Sequence, residues 1–367
     1  MSFLLQQILL EPRLALKLNN DQLNQLLSQA RSARLLASLA HQLQNEAVDS
    51  LLCTTVSRHL KSAILIHDKQ QRDLAYDSEK IKLVLDSISE RLVVLKGAAY
   101  MLAELPVGRG RLITDIDILV PQQSIDKVER AFKEFGWSSG YVNNYNERYY
   151  RKWSHEIPPL TNRKRGTMLD VHHNVLPPTA SPNVNASLFF DRLIEVKPGI
   201  FTLSWQDMVI HSATHLFHEG EFQHGLRDLW DLDRMLRDFP GRDPQFWQGL
   251  VSRARELELQ VSLFHGLTYA QQLFGTPLPE GIVKDTGNWL TSLRKPVMDF
   301  LFLRAFRPDH PQCKLPYTDL ALRMLYVRSH LLRMPLYLLL PHLARKAWMK
   351  LFEDDGHSRE SPKNKEL

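Results

Sequence analysis

Two aspartates set two positions apart inside an aliphatic run constrain this chain more than any other feature. The run from Arg111 to Val120 reads RLITDIDILV. Alternate side chains of a strand share a face, so Asp115 and Asp117 project together, while Ile116, Ile118 and Val120 include the opposite, core-directed set. Two carboxylates at one strand end repel each other unless a cation sits between them. Hard oxygen donors of this kind favour Mg²⁺ or Mn²⁺, so a divalent metal site is expected here.

Two neighbouring segments extend the pattern. Leu92 to Leu95 is a short β-prone run that turns at Lys96-Gly97-Ala98 into a helix. A glycine at such a turn lets a phosphate approach backbone N–H groups, and the first helical turn favours negative charge, which outlines a phosphate cradle. Met168 to His172 places Asp170 in another strand-like run. If that strand lies beside the first, Asp170 supplies a third metal ligand or the base that activates an attacking hydroxyl. Arg111 either orients a phosphate bidentately or pairs with Asp115 four residues on. Lys96 either neutralises phosphate or snorkels from the strand end.

The rest of the chain frames this centre with helices. Between Asp21 and about Ser87 the residues Leu23, Leu26, Leu27, Ala30, Leu35, Leu36 and Leu39 recur near a 3.6 period, and no proline intervenes between Pro12 and Pro106. Residues 1–87 are expected to be helical. Residues 88–200 then read as strand, helix, strand, helix, with the second helix between Gln122 and Phe135 stopped by Gly136. Further strands are expected in Tyr141 to Trp153 and Thr167 to Val171, and a loop at Ala180 to Asn185 among Pro177, Pro178 and Pro182. Helical periodicity returns over 201–352, in segments Trp205–Glu219, Leu226–Asp238, Pro244–Phe274, Gly281–Phe306 and Tyr317–Phe352. Residues 353–367 are charged and read as a solvated tail.

Composition excludes several classes. With 367 residues and 44% hydrophobic content the chain has material for real cores, so global disorder is ruled out. Against 46 Lys and Arg stand 41 Asp and Glu, a net +5 too small for a dedicated DNA binder. Cys53 and Cys313 match neither a zinc ribbon nor a redox pair, which fits a reducing cytoplasm. The opening Met1 to Leu10 lacks a basic leader and a cleavage site, and Met334 to Leu343 is about half the ~20 residues a spanning helix needs, so neither export nor a transmembrane segment is expected.

The other polar groupings have plain explanations beside sharper ones. His211, His215 and His218 form one helical stripe, followed by His224, Arg227, Asp228 and Asp231. They read as polar residues packed on the α/β unit and lining the cleft rather than as the centre of a His/Asp metallophosphohydrolase. His155 and His172 likewise read as structural or substrate-side groups. Arg163-Lys164-Arg165-Gly166 reads as a charged hairpin tip before an RNA contact, and Leu320 to Phe352 as a core helix with a basic flank before a membrane-surface helix.

Taken in order, Lys96-Gly97, Arg111 with Asp115 and Asp117, the helix ending Phe135-Gly136-Trp137, His155, and Leu169-Asp170-Val171-His172 resemble the uncharacterised nucleotidyltransferase family of the polymerase-β-like superfamily. The resemblance covers Leu92 to Leu176, and more loosely the histidine-bearing segment 211–231. It implies an α+β fold with a small mixed sheet flanked by helices. It also implies two Mg²⁺ ions held by Asp115, Asp117 and Asp170, and transfer of a nucleotidyl group from a nucleoside triphosphate such as ATP. The acceptor is a protein, a small molecule or RNA, and Lys96, Gly97 and Arg111 are the residues expected on the phosphates. The superfamily usually has Gly-Ser at the cradle; this chain has Gly97-Ala98 and so lacks the serine hydroxyl. A non-catalytic nucleotide-binding or regulatory protein is the rival expectation. The enzymatic one requires the Asp170 carboxyl to turn toward those of Asp115 and Asp117, and a salt-bridged lysine filling the space between them counts against it.

Overall fold

The computed structural model describes residues 3–140, 153–218, 220–287 and 289–337. The helical expectation for the N-terminal region holds: helices α1 (Leu4–Leu10), α2 (Asn20–Ser32), α3 (Leu36–Asn45) and α4 (Thr54–Asp86) precede the first strand. Helix α2 begins with a capping box, in which the Asn19 side chain accepts from the Gln22 N–H and the Gln22 side chain answers to the Asn19 N–H.

The sheet follows: β1 (Leu92–Val94), α5 (Lys96–Leu102), β2 (Ile116–Leu119), α6 (Ile125–Glu134), β3 (Trp137–Ser139), β4 (Leu160–Asn162), β5 (Met168–His172), β6 (Ile194–Lys197) and β7 (Ile200–Thr202). Its strand order is β3-β4-β5-β2-β1-β7-β6, a seven-stranded mixed sheet in an α+β fold. β2 runs parallel to β5 and antiparallel to β1; β1 runs parallel to β7. The chain therefore returns to the sheet after the proline-rich loop, as the β6–β7 hairpin joins the edge beside β1. The strands expected in Tyr141 to Trp153 lie almost wholly outside the described residues.

β2 is shorter than the aliphatic run that contains it. The Gln70 side chain exchanges two hydrogen bonds with the backbone of Ile113, each 3.1 Å, and so occupies the groups a neighbouring strand would use. The preceding loop is fastened to the helical region as well: His67 Nε2 meets Gly108 O at 3.0 Å, and Ser38 Oγ donates to Gly110 O. Gly110 has φ +77, and a Cβ there would lie 2.4 Å from the Ser38 backbone nitrogen. Gly110→Ala is expected to cost roughly 1–3 kcal/mol or more, because strain and overpacking act together with no flexible side chain to yield. Urea unfolding of the purified variant checks this.

The C-terminal region comprises α7 (Trp205–His218), α8 (Gly225–Arg242), α9 (Phe246–Glu256), α10 (Gln260–Phe274), α11 (Ile282–Thr286), α12 (Trp289–Ala305) and α13 (Thr318–Arg333). Three segments differ from the periodicity. The expected helix Gly281–Phe306 is α11 and α12, parted at Gly287, whose backbone is extended. α8 runs through Pro240 and Gly241 to Arg242. The expected helix Pro244–Phe274 is two helices, because Glu258 adopts φ 59 and the Leu259 N–H reaches back to Ala254 O at 2.8 Å. That left-handed turn buries both Leu257 and Leu259, and no glycine or proline announces it. One contiguous apolar cluster runs from the N-terminal helices through the sheet to the C-terminal helices. No described helix is long and apolar enough to cross a membrane, and both cysteines are free thiols.

Candidate active site

The parallel register of β2 and β5 sets Asp117 directly opposite Asp170. Paired residues of neighbouring strands share a face, and so do residues two apart. Asp117, Asp170 and His172 therefore project to one side of the sheet, and Asp115, in the bend just before β2, opens into the same cavity. Glu156 joins them, because an isolated bridge pairs it with His172 on the other side of β5. All five line one cavity of about 350 Å³, together with Lys96, Trp153, His155, His215, His218 and Arg333. A larger cavity of about 670 Å³ near α12 and α13 holds none of these acids, so size does not select the site.

Asp117 is the most strongly held of the acids. Its Oδ1 accepts from Lys96 Nζ at 2.8 Å and from His172 Nε2 at 2.9 Å. Burial, the largest influence, acts to raise its pKa, but Lys96 and His172 together keep it well below the usual carboxylate range. Lys96 reaches this position from a left-handed backbone, φ 49, at the first residue of α5. Its own pKa is raised, since the carboxylates of Asp117, Glu156 and Asp115 outweigh the burial that opposes them.

Asp115 and Asp170 are placed differently. Burial first, and the Asp117 charge second, raise both carboxyls, and Asp170 is pushed up to about 7 with Glu156 and Asp115 adding to the repulsion. Asp170 Oδ1 is buried without a hydrogen-bond partner. Asp115 accepts only from Thr114 Oγ1, at 3.2 Å, and neither acid has an ion-pair partner among the described residues. The lysine on Asp117 thus neutralises one acid of three. The two remaining carboxyls, one with an orphaned oxygen, are oxygen donors that fit a hard divalent cation.

The other expected site residues divide. Lys96 lines the cavity; Gly97 and Arg111 do not. A Cβ on Gly97 would meet Ile113 Cγ2 at 2.7 Å, so the glycine is required for close packing of α5 on the 111–113 loop. Arg111 donates through Nε to Asp231 at 2.7 Å and through Nη1 to Leu112 O, with Nη2 3.6 Å from Asp228. It joins the loop before β2 to α8, and Asp115 is not its partner. Ser212 of α7 lies beside the Tyr100 hydroxyl of α5, and His215 and His218 of the same helix line the cavity. Burial first and Lys96 second push His211 down to about 3, whereas for His215 the Lys96 charge is the leading cause of a pKa lowered well below its usual value. These imidazoles are neutral at physiological pH.

Glu156 was not singled out by any sequence pattern. Its only local signal is its position beside His155, because what brings it to the cavity is the antiparallel return of 156–161 along β5. Arg165 of the basic turn pairs with Asp77 of α4 at 2.6 Å and lies over Tyr76, as a hairpin tip packed on a helix.

A family model described as uncharacterised nucleotidyltransferase matches residues 19–275. No curated protein and no solved structure matches the chain. The matched region takes in α2 to α4 before the sheet and α7 to α10 after it, and so is much longer than the motif-bearing segment around the acids.

Proposed function

Because this chain belongs to the uncharacterised nucleotidyltransferase family, we propose that it moves a nucleoside monophosphate from a nucleoside triphosphate to a hydroxyl acceptor, with Mg²⁺ or Mn²⁺ held by Asp115, Asp117 and Asp170. The observation that carries this reading is the pairing of Asp117 with Asp170 across parallel strands, with Asp115 opening into the same cavity and an Asp170 oxygen left without a partner. A divalent cation bound there polarises phosphoryl oxygens and offsets the charge that develops at the α-phosphorus.

The chain's own residues do the rest. Asp170, on the face it shares with Asp117, is the group that takes the acceptor hydroxyl's proton where it does not serve as the third ligand. The new bond joins the acceptor oxygen to the α-phosphorus, the bond to pyrophosphate breaks, and the proton rests on the Asp170 carboxylate. Lys96, buried and protonated, keeps Asp117 ionised and adds positive charge to the wall where phosphate would lie. Neutral His215 offers a hydrogen bond to substrate without adding charge. Arg111 acts behind the site, since its nitrogens are directed to Asp231, Asp228 and Leu112.

The test is incubation with α-labelled nucleoside triphosphates, Mg²⁺ and cell extract. Label transfer that disappears in Asp115→Asn supports the reading; among the described residues Asp115 makes no ion pair whose loss would disturb the fold. Nucleotide binding without transfer would overturn it in favour of a non-catalytic nucleotide-binding protein, for which Lys96 seated on Asp117 is the supporting observation. The alternative centred on 211–231 has less behind it, because Asp231 and Asp228 of that segment are directed to Arg111 and Arg227.

A further inference from the structure

We propose that His155, Glu156 and His172 form a second cation site, of different chemistry from the acid trio, that takes a first-row transition-metal ion of the zinc class. One ligand atom from each lies within 4.8 Å of the other two. His172 Nδ1 is 3.5 Å from Glu156 Oε2, close to the ~3.4 Å separation that bonds of about 2.0–2.1 Å impose on two ligands of a tetrahedral ion. His155 Nδ1 is buried and has no hydrogen-bond partner. The rings of His155 and His172 are 5.3 Å apart between centroids, so a modest side-chain rotation closes the set.

The hydrogen-bonding direction supports the assignment. Asp117 is an acceptor toward His172 Nε2, so that nitrogen carries a hydrogen and Nδ1 is the ring nitrogen left for a cation. Nδ1 faces the Glu156 carboxylate at 3.5 Å, so an ion between them is reached from both sides. Asp117 would then orient His172 from behind, the carboxylate–histidine–metal arrangement in which an outer acid fixes the ring tautomer. The backbone is already rigid: His155 O accepts from the His173 N–H at 2.8 Å, and the Ile157 N–H donates to Val171 O at 3.1 Å. Nitrogen donors favour zinc-class ions over Mg²⁺, so the two sites sort cations by ligand type. Three protein ligands leave a position for a substrate oxygen, and all three residues line the cavity that holds the acids.

The experiment is titration of chelator-treated full-length protein with Zn²⁺ by calorimetry and with Co²⁺ by visible absorption. With excess Mg²⁺ present to fill the acid trio, the expected result is one tightly bound ion per chain, with affinity falling about 100-fold or more in Glu156→Gln and in His155→Gln, since loss of a ligand exceeds the ~10–100-fold cost of losing an outer partner. Asp115→Asn and His215→Gln are expected to retain the Zn²⁺ affinity. Circular dichroism melts of the two ligand variants show that the fold persists. Absence of Zn²⁺ and Co²⁺ binding, or binding in both ligand variants as tight as in the wild type, overturns the proposal. The readout does not depend on nucleotidyl transfer, so each idea can fail while the other stands.

Discussion

Asp170→Asn is expected to lower nucleotidyl transfer by about 10³-fold while leaving the folded protein intact. The loss corresponds to the several kcal/mol of charge stabilisation that a bound divalent cation contributes, at about 1.4 kcal/mol per tenfold. The fold is spared because the Asp170 carboxyl makes no ion pair among the described residues and one of its oxygens has no partner. The same substitution carries a signature in stability. In the cation-free protein the Asp170 pKa is pushed up to about 7, against 3.8 for an unperturbed carboxyl. The folded state therefore binds more protons than the unfolded state between those values, and the wild type loses stability as pH rises through about 7. Asparagine has no such titration. Measured by urea unfolding without divalent ions, the wild type is expected to gain on the variant by a few kcal/mol as pH is lowered from 8 to 5. A constant difference across that range would refute the assignment of Asp170 as the high-pKa acid.

The second large effect is structural. Arg111→Met is expected to destabilise the protein by about 3–5 kcal/mol, because it leaves Asp231 buried beside Asp228 without its counter-ion. Burial already pushes the Asp231 carboxyl up to about 6 with the arginine in place. Without it the pKa rises further, so the deficit is greater at pH 8 than at pH 5. The double substitution Arg111→Met with Asp231→Asn is expected to recover most of the loss, since removing both partners leaves no stranded charge. Denaturant unfolding of the three proteins at both pH values measures this. A single variant as stable as wild type, but with weakened nucleotide binding, would return Arg111 to the phosphate role expected from sequence.

Much of the frame was legible because its signals are local. The aliphatic runs at Leu92–Val94, Ile116–Leu119 and Met168–His172 are strands, and the leucine-rich N-terminal stretch is helical. The charged residues were harder, because each depends on a partner far along the chain. Arg111 and Asp231 are 120 residues apart, and Asp117 and His172 are 55 apart. Glu156 reaches the site through an isolated bridge to His172, ahead of β4, and no local pattern marks such a bridge. The break at Glu258 was invisible for a different reason: packing of Leu257 and Leu259 imposes a left-handed turn on a residue with no intrinsic preference for it.

Period-two alternation, from the sequence by itself, pointed Asp115 and Asp117 the same way; the strand begins only at Ile116, and the bend before it brings Asp115 to the cavity that Asp117 lines. Which of the acids gains a cationic partner was decided by the tertiary structure alone. Out of water a carboxylate's pKa follows whatever charge lies within a few ångströms, and that neighbour is selected by strand pairing and helix docking. Lys96 and His172 therefore hold Asp117 ionised, while Asp170, opposite it in the next strand, keeps its proton to about pH 7.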